Sequence, residues 1–392
     1  MRIILMTGKG GVGKTSVAAA TAVGAAEAGH TVLLASTDAA HSLSDIVQTP
    51  VGPAPTTVAK NLWAVEIDTI TELRTRWEPI RRELADFLHY LGYRDPILAE
   101  EIAVMPGMEE VFSLSRLCEL AEEGTWDTIV VDCAPTGSTL RLLTFSDTAS
   151  SRYRRVMHLA GLLFSLAKPG AQVLGVGSAV PSREHLSSVG RMMDEIARLH
   201  EMLVRPEQAS VRLVLQLEQA VIAETQRTFT FMSLFGFSVD AVVVNRVIPP
   251  AVPLGYLEKW REAQQRHYVV VRQSFLDSPM LEIPYYECEP TGPQRLMRLS
   301  RDAYGSTDPA AVLSRSRAVT TRHEEQGGLP LDVLEIPLPG ISVSDVDVRR
   351  EGRNLVIDAG DARRVLALPD GLATRHVHAT RLAEGVLSVA FS

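Results

Sequence analysis

Residues 8–15 read Gly-Lys-Gly-Gly-Val-Gly-Lys-Thr. Two glycines with four residues between them, followed by Lys-Thr, make an anion-wrapping loop only when a strand precedes them and a helix follows. Both flanks are present. Ile3–Thr7 reads as a short buried strand, and Thr15–Ala28 as an alanine-rich helix stopped by Gly29. Glycines let the backbone turn its N–H groups toward a phosphate. The helix start near Lys14 adds the positive end of its dipole. Gly8, Lys9, Gly10, Gly11, Val12, Gly13, Lys14, Thr15 and Ser16 are the expected cradle for a triphosphate. Lys14 is expected at the β- and γ-phosphates, and the Thr15 hydroxyl on Mg²⁺.

At 392 residues the chain is too long for one average domain. The expected class is α/β, with a mostly parallel P-loop NTPase sheet flanked by helices. Its strands are Ile3–Thr7, Thr31–Ser36, Thr128–Cys133, Ser210–Leu217, Val239–Asn245 and Leu281–Tyr285, apolar runs that suit strands covered on both faces. Helical insertions are read at about 71–124 and 152–205. The second carries Met157, Met192, Met193 and Met202, and glycines from Gly170 to Gly177 interrupt it. The first domain is placed at 1–302 and a linker at 303–328. After the linker the period switches to two, so 329–392 reads as a small all-β sandwich. Its strands are read around Val343–Val348, Leu355–Ile357, Val365–Leu368 and Val386–Phe391.

The net charge of −8 gives no general attraction to nucleic acid or an anionic membrane. Only 5 of the 39 basic residues are lysines, which sets Lys9 and Lys14 apart. Three cysteines, Cys118, Cys133 and Cys288, form no Cys-x-x-Cys pair and suit a reducing compartment. The first strand begins at once, with no leader pattern, and no window offers 18 apolar residues free of charge. A cytoplasmic location is the expectation.

Open parallel sheets present ligands at the carboxyl ends of their strands. Two further ends carry informative residues: Ser36-Thr37-Asp38-Ala39-Ala40-His41-Ser42-Leu43-Ser44-Asp45 and Asp132-Cys133-Ala134-Pro135-Thr136-Gly137. Asp38 stands where a carboxylate polarises water beside a γ-phosphate. Asp132 closes an apolar strand, the arrangement that holds Mg²⁺ through its water shell. With GKGGVGKT (8–15), STDAAHSLSD (36–45), DCAPTGSTLRLL (132–143) and VVVNRVIP (242–249), residues 1 to about 302 resemble one family of ATPases. It includes the arsenical-pump ATPase and the targeting factor for tail-anchored membrane proteins.

The resemblance implies an ATP-hydrolysing homodimer. Lys9 would reach the partner's phosphates, Asp38 would activate water, Asn245 would recognise adenine, and Glu218 would touch nucleotide. Pro284–Pro290 matches the adenine-side loop. Ala39 stands where the family often has proline, and Ser138 where it often has histidine. The segment from Pro250 to His267 has no cysteine, so no zinc clasp is expected there.

Residues 329–392 resemble the α-crystallin domain of small heat-shock proteins, through Ile336-Pro337-Leu338-Pro339-Gly340, Val346-Asp347-Val348, Leu355-Val356-Ile357 and Glu384-Gly385-Val386-Leu387-Ser388-Val389. Such a module also occurs fused to bacterial and plastid branches of these ATPases. The function implied is a switch whose helical subdomain binds and releases hydrophobic transmembrane segments of client proteins, with a membrane receptor as a possible partner. The alternative is an ATPase energising arsenite or other anion efflux. Iron–sulfur electron transfer would need two well-placed cysteines per subunit, and a DNA-partition ATPase a basic face; neither is legible.

Overall fold

The computed structural model describes residues 1–37, 43–76, 108–133, 187–251, 255–276, 278–315, 317–326 and 329–392. Several sequence expectations lie outside these residues. They are Asp38, Ala39, His41, Ser138, Met157, the glycine break at 170–177, and most of the second insertion and second switch motif. The chain divides into two units, one of residues 1–66, 123–134 and 203–392, the other of 67–122 and 135–202.

In the first unit eight strands form one sheet: β1 (Arg2–Thr7), β2 (Val32–Ser36), β3 (Thr56–Ala59), β4 (Leu62–Glu66), β5 (Thr128–Asp132), β6 (Ala209–Gln216), β7 (Val239–Val247) and β8 (Met280–Pro284). Their order is β3-β4-β2-β5-β1-β6-β7-β8, and every pairing is parallel except β3 with β4. β1 sits between β5 and β6 and is buried along its whole length. A strand covered on both faces has no polar side to alternate with, so Ile3-Ile4-Leu5-Met6 is continuous. Helix α1 (Lys14–Glu27) is buried from Val17 to Ala26. Its alanines let it lie close between the sheet and the later helix Pro293–Tyr304.

The expected strands agree with the observed ones to within a residue or two. β3 and β4 were not read from the sequence. Strands of four and five residues carry little periodicity, and Asn61 turns the hairpin with a left-handed φ of 59°. Helix α2 (Leu43–Val47) follows β2.

The second unit contains a helical stretch from 69 to 76, helix α3 (Met108–Glu122) and helix α4 (Ser187–Leu203), which ends one residue into the first unit. Arg76 ties them together through Glu72, Glu119 and Glu195, at 2.9, 2.8 and 2.7 Å. Among the described residues no helix is long and apolar enough to cross a membrane.

The rest of the first unit holds helices α5 (Gln219–Leu234), α6 (Glu258–Ser274) and α7 (Pro293–Tyr304), then a β-rich end. Strands β9 (Thr320–Gln326), β10 (Leu329–Pro337), β14 (Val377–Ala383) and β15 (Val386–Phe391) pair in the order β14-β15-β10-β9. Strands β11 (Val346–Glu351), β12 (Asn354–Ala359) and β13 (Ala362–Ala367) form a second sheet, and helix α8 (Asp370–Ala373) precedes β14. Leu334, Ile336, Leu355, Ile357, Leu387, Val389 and Phe391 make their shared core. Leu234 of α5 joins the same core, and the Thr230 hydroxyl donates to the Pro339 carbonyl at 3.1 Å. The β-rich end therefore packs directly on α5.

Two local readings change. Thr320–Gln326, read as linker, is an edge strand; its run of Thr, Arg, His and Glu is a solvated face that also protects an open edge. Val343, read as strand, lies in a 3₁₀ turn at Val343–Asp345, 69% exposed.

Candidate functional site

The loop between β1 and α1 stands at the carboxyl end of the sheet, and Gly8 and Gly13 at its two ends are sterically required. A Cβ on Gly8 would lie 2.1 Å from the Val214 carbonyl oxygen, and Gly13 holds φ at 94°. Three loop carbonyls accept side-chain bonds. Lys14 Nζ donates to Lys9 O at 3.4 Å, Gln216 Nε2 to Gly11 O at 3.3 Å, and Asn245 Nδ2 to Val12 O at 2.7 Å. Carbonyls held this way leave the loop's amides as an anion-binding concavity.

Asp132 ends β5 beside β1 and is buried; the Thr15 hydroxyl donates to its Oδ2 at 2.6 Å. A hydroxyl and a carboxylate are hard oxygen donors, the set that suits Mg²⁺ rather than a soft metal. The residues thus fit the ion. Among the described residues no cluster of three or more His, Cys, Asp or Glu forms a metal cage.

Lys9 is half-exposed and its Nζ lies 3.6 Å from Glu224 Oε2 on α5. Glu218 is exposed at the amino-terminal end of α5 and makes no side-chain capping bond. Asn245 is buried, and its Oδ1 accepts the Arg246 N–H at 2.9 Å. It lines a cavity of about 290 Å³ together with Gly13, Ser16, Arg246, Tyr285, Cys288 and Leu299. The cavity wall includes the whole stretch Pro284–Pro290. The structure thus brings the cradle, Asp132, Asn245 and the 284–290 loop to one end of the sheet. Asp38 lies outside the described residues.

Sequence reading missed three contributors. Glu66 ends β4 and its Oε1 accepts the N–H groups of Leu43 and Ser44, at 3.1 and 3.4 Å. It caps α2, the helix that directly follows the Asp38 segment. Gln216 ends β6 much as Asp132 ends β5, and that strand-end position was the available signal. Arg246 holds a left-handed φ of 59°, which costs a non-glycine residue energy and which sequence does not announce.

Burial raises the Cys133 thiol above its ordinary range, with Asp132 adding to the rise. Cys118 is pushed up to about 12 by burial first and then by Glu122, Glu195 and Glu119. Cys288 is exposed.

A parallel sheet, a glycine cradle at its central strand and a carboxylate closing the next strand define a phosphate-loop ATPase. The chain belongs to the anion-transporting ATPase family, whose model matches residues 1–305. A second model, the HSP20-like domain found in ArsA, matches residues 332–391, in keeping with the α-crystallin-like end. The chain is 36% identical over 376 residues to the "Putative arsenical pump-driving ATPase" of Chlorobaculum tepidum, covering 95% of this chain and 91% of that one. An Aquifex aeolicus protein of the same name, numbered 1, is 30% identical over 379 residues, 94% of each chain. "ATPase ARSA2" of Chlamydomonas reinhardtii is 28% identical over 308 residues, 76% of this chain and 82% of that one.

Proposed function

We propose that the chain is a Mg²⁺-dependent ATPase that works as a cytoplasmic homodimer and uses ATP to bind and release hydrophobic segments of client proteins. The observation that carries the ATPase part is the Thr15 hydroxyl on the Asp132 carboxylate at 2.6 Å, at the mouth of a loop that admits only glycine at Gly8.

In this reading the loop amides hold the β-phosphate, and Lys14 leaves the Lys9 carbonyl to meet the β- and γ-oxygens. Thr15 and Asp132 would hold Mg²⁺, Asp132 through the ion's water shell. The ion, when bound, neutralises charge developing on the phosphate oxygens. Asp38 orients and polarises the attacking water. Lys9 exchanges Glu224 for the phosphates of a second copy, where a supplied cation stabilises the transition state. Glu66 holds the start of α2, the helix that follows Asp38 in the chain. The base lies against Asn245 and the Pro284–Pro290 loop, with Glu218 nearby. The client-binding part rests on the resemblance to tail-anchored-protein targeting ATPases, as does a membrane receptor.

The test is direct. ATP turnover should require Mg²⁺ and stop in EDTA. Asp38→Asn should keep Mg·ATP binding and lose turnover. Light scattering should show a dimer with a non-hydrolysable ATP analogue. Peptides captured on ATP-trapped protein should be transmembrane segments. A monomer that ignores saturating Mg·ATP would sink the reading.

The names of the relatives favour a second reading, an ATPase energising arsenite or other anion efflux. Trivalent arsenic takes soft thiolates. Burial keeps Cys118 and Cys133 in the thiol form, which counts against them as ligands. Stimulation of turnover by arsenite would favour this second reading.

A further inference from the structure

Asn245 faces two ways. It lines the cavity walled by Pro284–Pro290, yet its amide is already committed to the phosphate loop. Nδ2 donates to Val12 O at 2.7 Å, and Oδ1 accepts the Arg246 N–H at 2.9 Å. The two bonds fix which way the amide points, since exchanging O and N would break both. Nδ2 also sits where a side chain on Gly13 would begin: a Cβ there would lie 2.5 Å from it. Gly13 is the left-handed turn from which α1 starts. Arg246, the next residue, is itself left-handed, so the backbone is bent to deliver this contact.

A loop of four glycines in eight residues is costly to order, because glycine loses the most freedom on fixing its backbone. One buried amide bonded to the loop's last turn removes part of that cost before any ligand arrives. We propose that Asn245 is a positioning residue for the phosphate loop, so that its contribution to binding falls on the triphosphate and not only on the base. This rests on the nucleotide-site reading above. It adds that base recognition and phosphate recognition share one side chain, which carries the state of the base cavity to the Val12–Gly13 turn.

Inorganic tripolyphosphate separates the two roles, since it has the phosphates and no base. The full chain and its Asn245→Ala and Asn245→Leu variants are titrated calorimetrically with Mg·ATP and with Mg·tripolyphosphate. Leu keeps the volume, adds no charge beside the phosphates and removes the donor to Val12 O, so it tests the same bond should the alanine variant fold poorly. The expected result is a fall of about tenfold for both ligands in both variants, the loss typical of one buried hydrogen bond. Steady-state kinetics should show the change as a raised KM for ATP. Mere loss of folded enzyme would lower kcat and leave KM in place. If tripolyphosphate binds the variants as it binds the wild type while ATP binding falls, Asn245 reads only the base and the proposal is wrong. Unchanged affinity for both ligands overturns it as well. A wild-type chain that binds neither ligand overturns the nucleotide site itself, a different and recognisable failure.

Discussion

The two ends of the central sheet solve opposite problems. At the carboxyl end the two loop lysines are half-exposed and joined by replaceable contacts: Lys9 to Glu224 at 3.6 Å, and Lys14 to a loop carbonyl at 3.4 Å. Around the starts of β1 and β7 the charges are sealed. Asp240 and Arg212 are fully buried, with Arg212 Nε 3.2 Å from Asp240 Oδ1, and Arg2 Nη2 reaches Asp240 Oδ2 at 2.9 Å. Arg212 also donates to the carbonyls of Pro309 and Ala311 at 2.7 and 2.9 Å and to the Tyr304 hydroxyl at 3.0 Å. Burial pulls Arg2 below the ordinary guanidinium value, Asp240 opposes this, and Arg212 adds to the fall. One end keeps its lysines free to change partners. The other uses ions as fixed bolts, and they pin the chain that leads to the β-rich end.

That contrast predicts that substitutions separate cleanly into stability and rate. The largest effect belongs to Asp240→Ala, which leaves two buried guanidiniums without their shared carboxylate. We expect a loss of about 5 kcal/mol in denaturant unfolding, the top of the range for breaking a buried pair. The KM for ATP of the folded fraction should not move. A shifted KM would mean that the sealed end communicates with the cradle, and the comparison would break.

Lys9→Ala tests the other end. Hydrolysis should slow on the order of 10³-fold, about 4 kcal/mol of barrier, by analogy with cations supplied to other phosphoryl transfers. Unfolding should be nearly unchanged, because an exposed pair such as Lys9–Glu224 contributes about 1 kcal/mol or less. Unaltered turnover would remove the trans role of this lysine.

The nucleotide end was legible because it is local. One octapeptide carries strand end, cradle and helix start, and Asp132 ends an apolar run that can be recognised alone. The sealed end was not. Arg2, Arg212 and Asp240 are scattered along the chain, and each looks like an ordinary surface charge until the parallel sheet brings them together. Glu66 was hidden for a related reason, since it ends β4, a five-residue strand flanked by a hairpin turn. The run at 320–326 misled because the alternation of an edge strand is weak when one face is solvent. Distance in sequence and lack of period, rather than rarity of residue type, separate what was read from what was missed.

A smaller effect sharpens the boundary between sheet and β-rich end. Thr230 donates to Pro339 O from a buried position on α5. Thr230→Val keeps the shape and leaves that carbonyl without this donor. We expect about 1 kcal/mol of destabilisation by calorimetry, with one unfolding transition retained. Two separated transitions would show that the β-rich end is held by this bond rather than by the core shared with Leu234 and Phe231.

The gentlest perturbation needs no mutation. Thiolates, not thiols, react with alkylating agents. Cys118, pushed up to about 12, and the buried Cys133 are held as thiols at neutral pH, whereas Cys288 is exposed on the loop that walls the cavity beside Asn245. Iodoacetamide at pH 7.5 should therefore label Cys288 first, as mass spectrometry of the digested chain would show. Mg·ATP at ten times its dissociation constant leaves about a tenth of the sites empty, so labelling should slow by about tenfold if the base covers the loop. Tripolyphosphate at matched occupancy should protect less, because it fills the cradle and not the base cavity. Equal protection by both would mean that the Pro284–Pro290 loop closes in response to phosphate alone. No protection by either would place the loop outside the nucleotide site and confine the exchangeable end of the sheet to the cradle.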